Sequence, residues 1–419
     1  MIQILKIQGG NRLNGTINCP SAKNAILPII AGAVMTDGDV RIRGCSRLTD
    51  TDAMLKILRA LGASAEWEED SVIINCSGLK TDAITSDLTG KIRSSVFILG
   101  PLVAKHKRAV MSYPGGCEIG LRPIDLHLYG LRQLGVKISE QNGFIVCDGT
   151  LMRSGEVNFD FPSVGATENV MMAASLLGGQ TVIRNAAREP EIVDLAQFIN
   201  AMGGSVAGAG TDTIIVNGVK KLHGCDYQPL SDRIVGGTYL MACAVTGGDI
   251  TVQNLKPETM RAVIEKLARC GCTVTHGKNF VRVRSSGKIK AIHKIETQPF
   301  PGFPTDLQPQ IVAMLTKANG CSMMVENLFE SRYKYTTQLN KMGARITVKD
   351  RVAVIKGVKT LKGAPLIAED LRGGAALVVG ALGAEGESTI SGVENIDRGY
   401  YHIEKDFSAL GAYINRIIL

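Results

Sequence analysis

The 419-residue sequence predicts an α/β (α+β) protein of two domains, each built from three βαβαββ-like units. Three observations carry that prediction. The chain is too long for one ordinary hydrophobic core, and two domains of typical size accommodate it. A phrase made of an amphipathic helix, a glycine and an alternating strand occurs six times, with its glycine at Gly62, Gly135, Gly203, Gly271, Gly343 and Gly411, spaced by 73, 68, 68, 72 and 68 residues. A second helical phrase, apolar on nearly all faces, recurs with it. Self-similarity at a fixed period marks an architecture assembled from like units.

The amphipathic phrase reads "LKILRALGASAEW", "LYGLRQLGVKIS", "LAQFINAMGGSVA", "VIEKLARCGCTVT", "TTQLNKMGARITV" and "IEKDFSALGAYIN". Apolar residues at helical spacing run up to the glycine, which suits a left-handed C-terminal cap, and the period changes to two beyond it. The apolar phrase reads "KNAILPIIAGAVM", "SSVFILGPLVA", "ENVMMAASLLGG", "GGTYLMACAVTGG", "QIVAMLTKANG" and "GAALVVGALGAEG". Helices apolar all round are buried helices, so each is placed inside its unit. Strands such as "DVRIRG", "TVIRNA" and "DITVQN" follow them. The last copy ends at "AYINRIIL", short of the strand that precedes the buried helix in the other five, while the N-terminus supplies "LNGTINCP". Pairing of the N-terminal strands with the C-terminal unit is therefore expected. That gives one domain at 21–230 and a discontinuous one at 1–20 plus 231–419, with ligands expected in the cleft between them.

Composition narrows the function classes. Hydrophobic residues at 45% and charged residues at 21% fit a globular protein without long disordered segments. The net charge of +8 is scattered, with no basic run or RNA-binding aromatic motif, so it suggests a cleft for a small anionic substrate rather than nucleic acid. No apolar stretch reaches membrane-spanning length and "MIQILKIQGGNRLNG" lacks the order of a signal peptide, so a cytoplasmic protein with no membrane partner is expected. The ten cysteines are dispersed and expected to be free; "CGC" at 270–272 has no second pair at zinc spacing, and Cys76 and Cys243 sit in core-like context. Cys117, on the loop "GGCEIGLRPIDLH", is the exception: exposed thiols behind Gly115 and Gly116 are a liability without a use.

Polar groups recur where the buried helices begin. In "CPSAKNAILP", Ser21 is a possible N-cap and Lys23 and Asn24 fall in the first turn. A cation at the positive end of the macrodipole makes sense if an anion lies beside it; the bland alternative is a solvated Lys whose stem covers apolar surface. The equivalent places hold Arg93, Ser163 with Val164 and Gly165, Asp232 with Arg233, Asp306, and Asp370 with Arg372. Simple capping competes with ligand binding at each, above all at Asp232 and Asp306. Loops before the amphipathic helices add Arg122, Asp125 and His127; Arg188, Glu189 and Glu191; Arg332; and Asp397 with Arg398. Several arginines suit a substrate with more than one acid group. No metal cluster stands out among the six histidines, so chemistry falls to Cys, Asp, Lys and Arg.

Through "SAKNAILP", "PGGCEIGLRPIDLH", "SVGATENVM", "NAAREPEIVDLA", "PGFPTDLQ" and "NIDRGY" the chain resembles, over essentially its whole length, the UDP-N-acetylglucosamine 1-carboxyvinyltransferases, a family of enolpyruvyl transferases. The resemblance implies a two-domain inside-out α/β barrel with the active site in the interdomain cleft. It also implies transfer of the enolpyruvyl group of phosphoenolpyruvate to the 3-hydroxyl of UDP-N-acetylglucosamine, with release of phosphate and no cofactor or metal.

By that resemblance Cys117 is the general acid, able also to form a covalent phospholactoyl adduct, and the target of the epoxide fosfomycin; Asp306 accepts the proton of the sugar hydroxyl. Lys23, Arg122 and Arg398 hold phosphoenolpyruvate with support from Arg332 and Arg372. Asn24, Arg93, Arg122, Pro123, Ile124, Asp125, Leu126, His127, Ser163, Val164, Gly165, Asp306 and Leu328 line the sugar-nucleotide site. Thr49 stands where some relatives carry a Lys, so no phosphate contact is assigned to it. The competing readings are the shikimate-pathway enolpyruvyl transferase, whose motifs differ at the cysteine loop, and a noncatalytic UDP-sugar sensor, which would not need an acid and a base.

Overall fold

A computed structural model describes residues 3–115 and 124–419. The chain divides into two compact units, one holding described residues 3–20 and 231–419, the other 21–115 and 124–230. Six four-stranded sheets share one plan: a parallel pair followed by two antiparallel neighbours. In one of them Glu156–Asn158 lies parallel to Gly179–Arg184, which is antiparallel to Thr213–Gly218, which in turn pairs with Ser205–Ala207. Such a parallel pair needs a crossover, and the helix Val164–Ala174 supplies it. The amphipathic helix Pro190–Ala201 then leads into the antiparallel hairpin.

The apolar helices form the interior of each unit. Arg233–Thr246, Gln308–Leu315 and Leu371–Leu382 pack on one another, and every residue of the last is buried. In the other unit Lys23–Gly32 packs on the 3-10 turn Arg93–Ile98, and Leu99–His106 packs on Val164–Ala174. Backbone contact is close there: a Cβ on Gly100 would lie 2.3 Å from the carbonyl oxygen of Asn169. Each buried Leu, Ile or Val adds about 1.5–3 kcal/mol, and the sheets wrap these helices instead of being wrapped by them. No described helix is long and apolar enough to cross a membrane.

All six marker glycines are left-handed, with φ of +106° at Gly62, +85° at Gly135, +87° at Gly203, +93° at Gly271, +90° at Gly343 and +92° at Gly411. At Gly62 the amide donates to the carbonyl of Arg59 and that of Ala63 to Leu58, closing the end of the helix Thr49–Leu61.

The expected closure is corrected in one respect. Gln3–Gln8 does complete the C-terminal sheet, between Glu387–Ser391 and Tyr413–Ile418. Leu13–Asn18, however, lies parallel to Gly248–Gln253 of the fourth unit, while Cys225–Tyr227 lies parallel to Val40–Ile42 of the first. The two strands that precede a buried helix in sequence are thus exchanged where the chain leaves one unit and returns to it. Each sheet keeps its parallel edge strand only through that exchange.

Forcing a side chain into the left-handed region costs on the order of 1 kcal/mol. A Cβ at Gly62 would also sit 2.6 Å from the carbonyl oxygen of Gly78, whereas nothing lies within 4 Å of one at Gly343. Gly343→Ala should therefore cost about 1 kcal/mol and Gly62→Ala clearly more in urea denaturation. Equal or reversed losses would contradict this reading of the helix ends.

Candidate active site

Asp306 is the centre of the charged cluster in the unit that contains 231–419. It lies in the short turn Thr305–Leu307 that leads into the buried helix Gln308–Leu315, whose N-cap is Leu307. Arg332 donates from Nη2 to Oδ1 at 2.8 Å; Arg372 donates from Nε and Nη2 to Oδ2 at 3.2 and 3.0 Å. The guanidinium side chains are 3% and 4% exposed and the carboxylate 26%, so the acid is the part that solvent or a ligand reaches. Arg332 Nε and Arg372 Nη1 are buried with no hydrogen-bond partner. Burial is the largest influence on Arg372 and works against its charge, yet Asp306, Tyr400 and Asp232 together outweigh it and hold the pKa above the ordinary value. This is a carboxylate gripped from two sides, with donor capacity left over.

The other polar starts of buried helices in this unit are caps. Asp232 accepts from the amides of Ile234 and Val235, and Asp370 from those of Arg372 and Gly373. By capping, Asp370 fixes the first turn from which Arg372 reaches Asp306. Arg398 is half-buried just beyond the short helix Val393–Ile396, and its neighbour Asp397 is bound by Arg416 at 2.7 Å.

Sequence reasoning missed Glu326. Wholly buried, it accepts from Thr297 and Thr305 hydroxyls and from the amides of Leu328 and Phe329. One carboxylate therefore ties the turn carrying Asp306 to the loop carrying Leu328. A lone Glu after a strand gives no signal of that role, because all its partners but two lie far away in sequence.

In the other unit Lys23 opens the helix Lys23–Gly32, whose first turn has no acid and whose N-cap, Ala22, makes no side-chain bond. Ser21 is thus not the cap; its hydroxyl accepts from Gln228. Nor is Lys23 solvated: it is 8% exposed and its ammonium lies 2.7 Å from Asp50 Oδ2. In this structure the anion beside Lys23 is Asp50, an acid in the first turn of Thr49–Leu61 that the sequence reading did not single out. Asn24 follows Lys23 half-buried, and Arg93 begins its 3-10 turn half-buried.

Two further helix starts meet in this unit. Ser163 caps Val164–Ala174 by accepting from the amide of Ala166. Asp125 begins Asp125–Gln133 exposed, with Ile124 buried before it, Leu126 half-buried and His127 only 7% exposed. A Cβ on Gly165 would lie 2.7 Å from His127 Cε1, so a glycine is what lets the imidazole reach the first turn of Val164–Ala174. Cys117, Arg122, Pro123 and Gly116 lie outside the described residues. Gly115 serves a close approach: a Cβ there would stand 2.2 Å from the carbonyl oxygen of Gly90.

Cys19, Cys45, Cys76, Cys147, Cys243, Cys270 and Cys272 are buried and Cys225 partly so, which leaves Cys321 as the exposed thiol among the described cysteines. Burial pushes the thiols of Cys45, Cys76, Cys147, Cys243 and Cys270 up to about 12, which makes them poor nucleophiles.

Six like units with buried helices, and a clamped carboxylate at the start of one of them, define an enolpyruvyl transferase architecture. The profile of the EPSP synthase (3-phosphoshikimate 1-carboxyvinyltransferase) family matches residues 7–407, and the chain belongs to that family. Within it the chain is 48% identical, over 99% of both chains, to UDP-N-acetylglucosamine 1-carboxyvinyltransferase 2 of Caldanaerobacter subterraneus subsp. tengcongensis. It is 46% identical to UDP-N-acetylglucosamine 1-carboxyvinyltransferase 1 of Carboxydothermus hydrogenoformans, over 98% of this chain and 97% of that one. Solved structures share the fold: the enolpyruvyl transferase NikO from Streptomyces tendae, with a TM-score of 0.88 at 23% identity over 99% of both chains, and EPSP synthase from Acinetobacter baumannii, with 0.77 at 20% over 100% of both.

Glu168, wholly buried in Val164–Ala174, has both carboxyl oxygens without a partner. Burial first, then the charges of Glu191 and Glu189, push its pKa well above the usual 4.5. The folded protein therefore binds this proton more tightly than the unfolded chain does. That mismatch costs stability at pH 7, and the cost shrinks as pH falls toward 4.5. Glu168→Gln should be the more stable protein at pH 7, and its advantage over the wild type should vanish on acidification when denaturation is followed against pH. A Gln variant that is less stable at pH 7 would contradict the assignment.

Proposed function

We propose that this protein transfers the enolpyruvyl group of phosphoenolpyruvate to the 3-hydroxyl of UDP-N-acetylglucosamine and releases phosphate, the first committed step of peptidoglycan precursor synthesis. The observation that carries the reading is Asp306 between Arg332 and Arg372, in a chain 48% identical from end to end to an enzyme named for this reaction.

In this reading Cys117 donates a proton to the methylene carbon of phosphoenolpyruvate, which leaves an oxocarbenium-like carbon. Asp306 takes the proton of the sugar hydroxyl as its oxygen attacks that carbon. The tetrahedral adduct then loses a methyl proton and phosphate together, which restores the enol ether. Each proton transfer by a placed group is worth about 10²- to 10⁴-fold, and holding two substrates together adds several kcal/mol. Lys23, Arg122 and Arg398 bind the anionic groups of phosphoenolpyruvate, while Asn24, Arg93, the segment 122–127, Ser163 to Gly165 and Leu328 take the sugar nucleotide.

Arg332 and Arg372 orient the Asp306 carboxylate through three hydrogen bonds.

Phosphate release from phosphoenolpyruvate, measured with and without UDP-N-acetylglucosamine, tests the reading. Release should need the sugar nucleotide, fall about 10²- to 10⁴-fold in Cys117→Ala, and fall similarly in Asp306→Ala while UDP-N-acetylglucosamine still binds. Release with shikimate 3-phosphate as acceptor instead would overturn it in favour of the shikimate-pathway reaction, and binding with no release would favour a sensor. In a labelling assay with fosfomycin, Cys117→Ser should remain unmodified while Cys321→Ser is modified like the wild type.

A further inference from the structure

Asn169 is fully buried in the helix Val164–Ala174, and its three side-chain hydrogen bonds are made to groups outside that helix. Its Oδ1 accepts from the amide of Gly100 at 2.8 Å. Its Nδ2 donates to the carbonyl of Val96 at 2.8 Å and lies 2.8 Å from His127 Nδ1. An amide N–H can only donate and a carbonyl oxygen can only accept, so these two backbone groups fix which end of the Asn side chain is nitrogen. The second hydrogen on that nitrogen then points at His127 Nδ1, which must offer a lone pair. The proton of the neutral imidazole consequently resides on Nε2. That edge of the ring is the one beside Gly165: a Cβ on Gly165 would lie 3.0 Å from His127 Nε2.

We propose that Asn169 is a positioning residue of the sugar-nucleotide site, which locks His127 as the Nε2–H tautomer and sets that donor at the first turn of Val164–Ala174 for an anionic oxygen of the nucleotide diphosphate. The N-terminal amides and His127 Nε2–H then act together as neutral donors, and the positive charge at the site comes from Lys and Arg. Phe97, whose Cε1 would lie 2.9 Å from the same Gly165 Cβ, packs beside the imidazole with ring centroids 6.4 Å apart. Placement of the diphosphate rests on the function proposed above; the tautomer does not.

Nitrogen NMR of the histidine-labelled full-length wild type, with His127 assigned by its loss in His127→Gln, reads the tautomer directly. The expected spectrum has Nε2 protonated and Nδ1 unprotonated at neutral pH without any substrate. A protonated Nδ1 would overturn the lock. In Asn169→Ala the two tautomers should mix, and the KM for UDP-N-acetylglucosamine should rise about fivefold or more with a smaller effect on kcat. A variant whose KM rises while His127 keeps its tautomer would reduce Asn169 to packing alone. Should the wild type show the expected tautomer yet fail to use UDP-N-acetylglucosamine, the proposed function falls and the lock remains; should that nucleotide be used while Asn169→Ala mixes tautomers with no change in KM, the diphosphate contact falls.

Discussion

A helix that is apolar on every face must be enclosed, and the rest of this architecture follows from enclosing six of them. Leu371–Leu382 has no exposed residue, and its partners Arg233–Thr246 and Gln308–Leu315 are nearly as buried. Only sheets with one apolar face can wrap such helices and still present a polar surface, so the sheets lie outside. The amphipathic helices and their left-handed glycines then return the chain to the sheet. A parallel edge strand completes each wrapping, and Leu13–Asn18 and Cys225–Tyr227 fill that place for the sheets of Gly248–Gln253 and Val40–Ile42, so the exchange leaves the sheets unbroken.

Enclosure also decides where polar chemistry can be. The side of a buried helix offers no place for a charge, whereas its first turn has free amides and the positive end of the dipole. Cations placed there need compensation, and the protein provides it: Asp50 for Lys23, Asp306 for Arg372. Buried pairs of this kind contribute little net stability, because desolvation offsets attraction. What they provide is orientation, and a donor set that an incoming anion can share. Glu326 and Asn169 extend the same principle to neutral and backbone groups, each using one side chain to hold several segments in register.

Local signals were legible in the sequence and non-local pairings were not. Gly62 and its five counterparts could be read because a helix stop needs positive φ at one residue. The buried helices could be read because apolar residues occupy nearly all their faces. The fate of "LNGTINCP" could not, since two sheets offered it similar edges and only the whole fold selects between them. Cys117 and the arginines stood out by chemical type. Asp50, Glu326 and Asn169 did not, because an acid in a first turn or an amide in an apolar helix has an ordinary local meaning. Asp306 resembled a cap in sequence, and only the arrival of Arg332 and Arg372 from distant segments shows otherwise.

In the function proposed above, ligand is held at the first turns of the buried helices. Backbone hydrogen exchange of the whole protein, with and without UDP-N-acetylglucosamine, tests that most directly, because first-turn amides have no partner within the helix and exchange fast unless a ligand accepts from them. The account predicts slowed exchange at Val164 and Gly165 and in the first turn of Lys23–Gly32, with the outward strands such as Lys137–Gln141 unchanged. Slowing confined to the outer sheets, with those first turns unaffected, would contradict it.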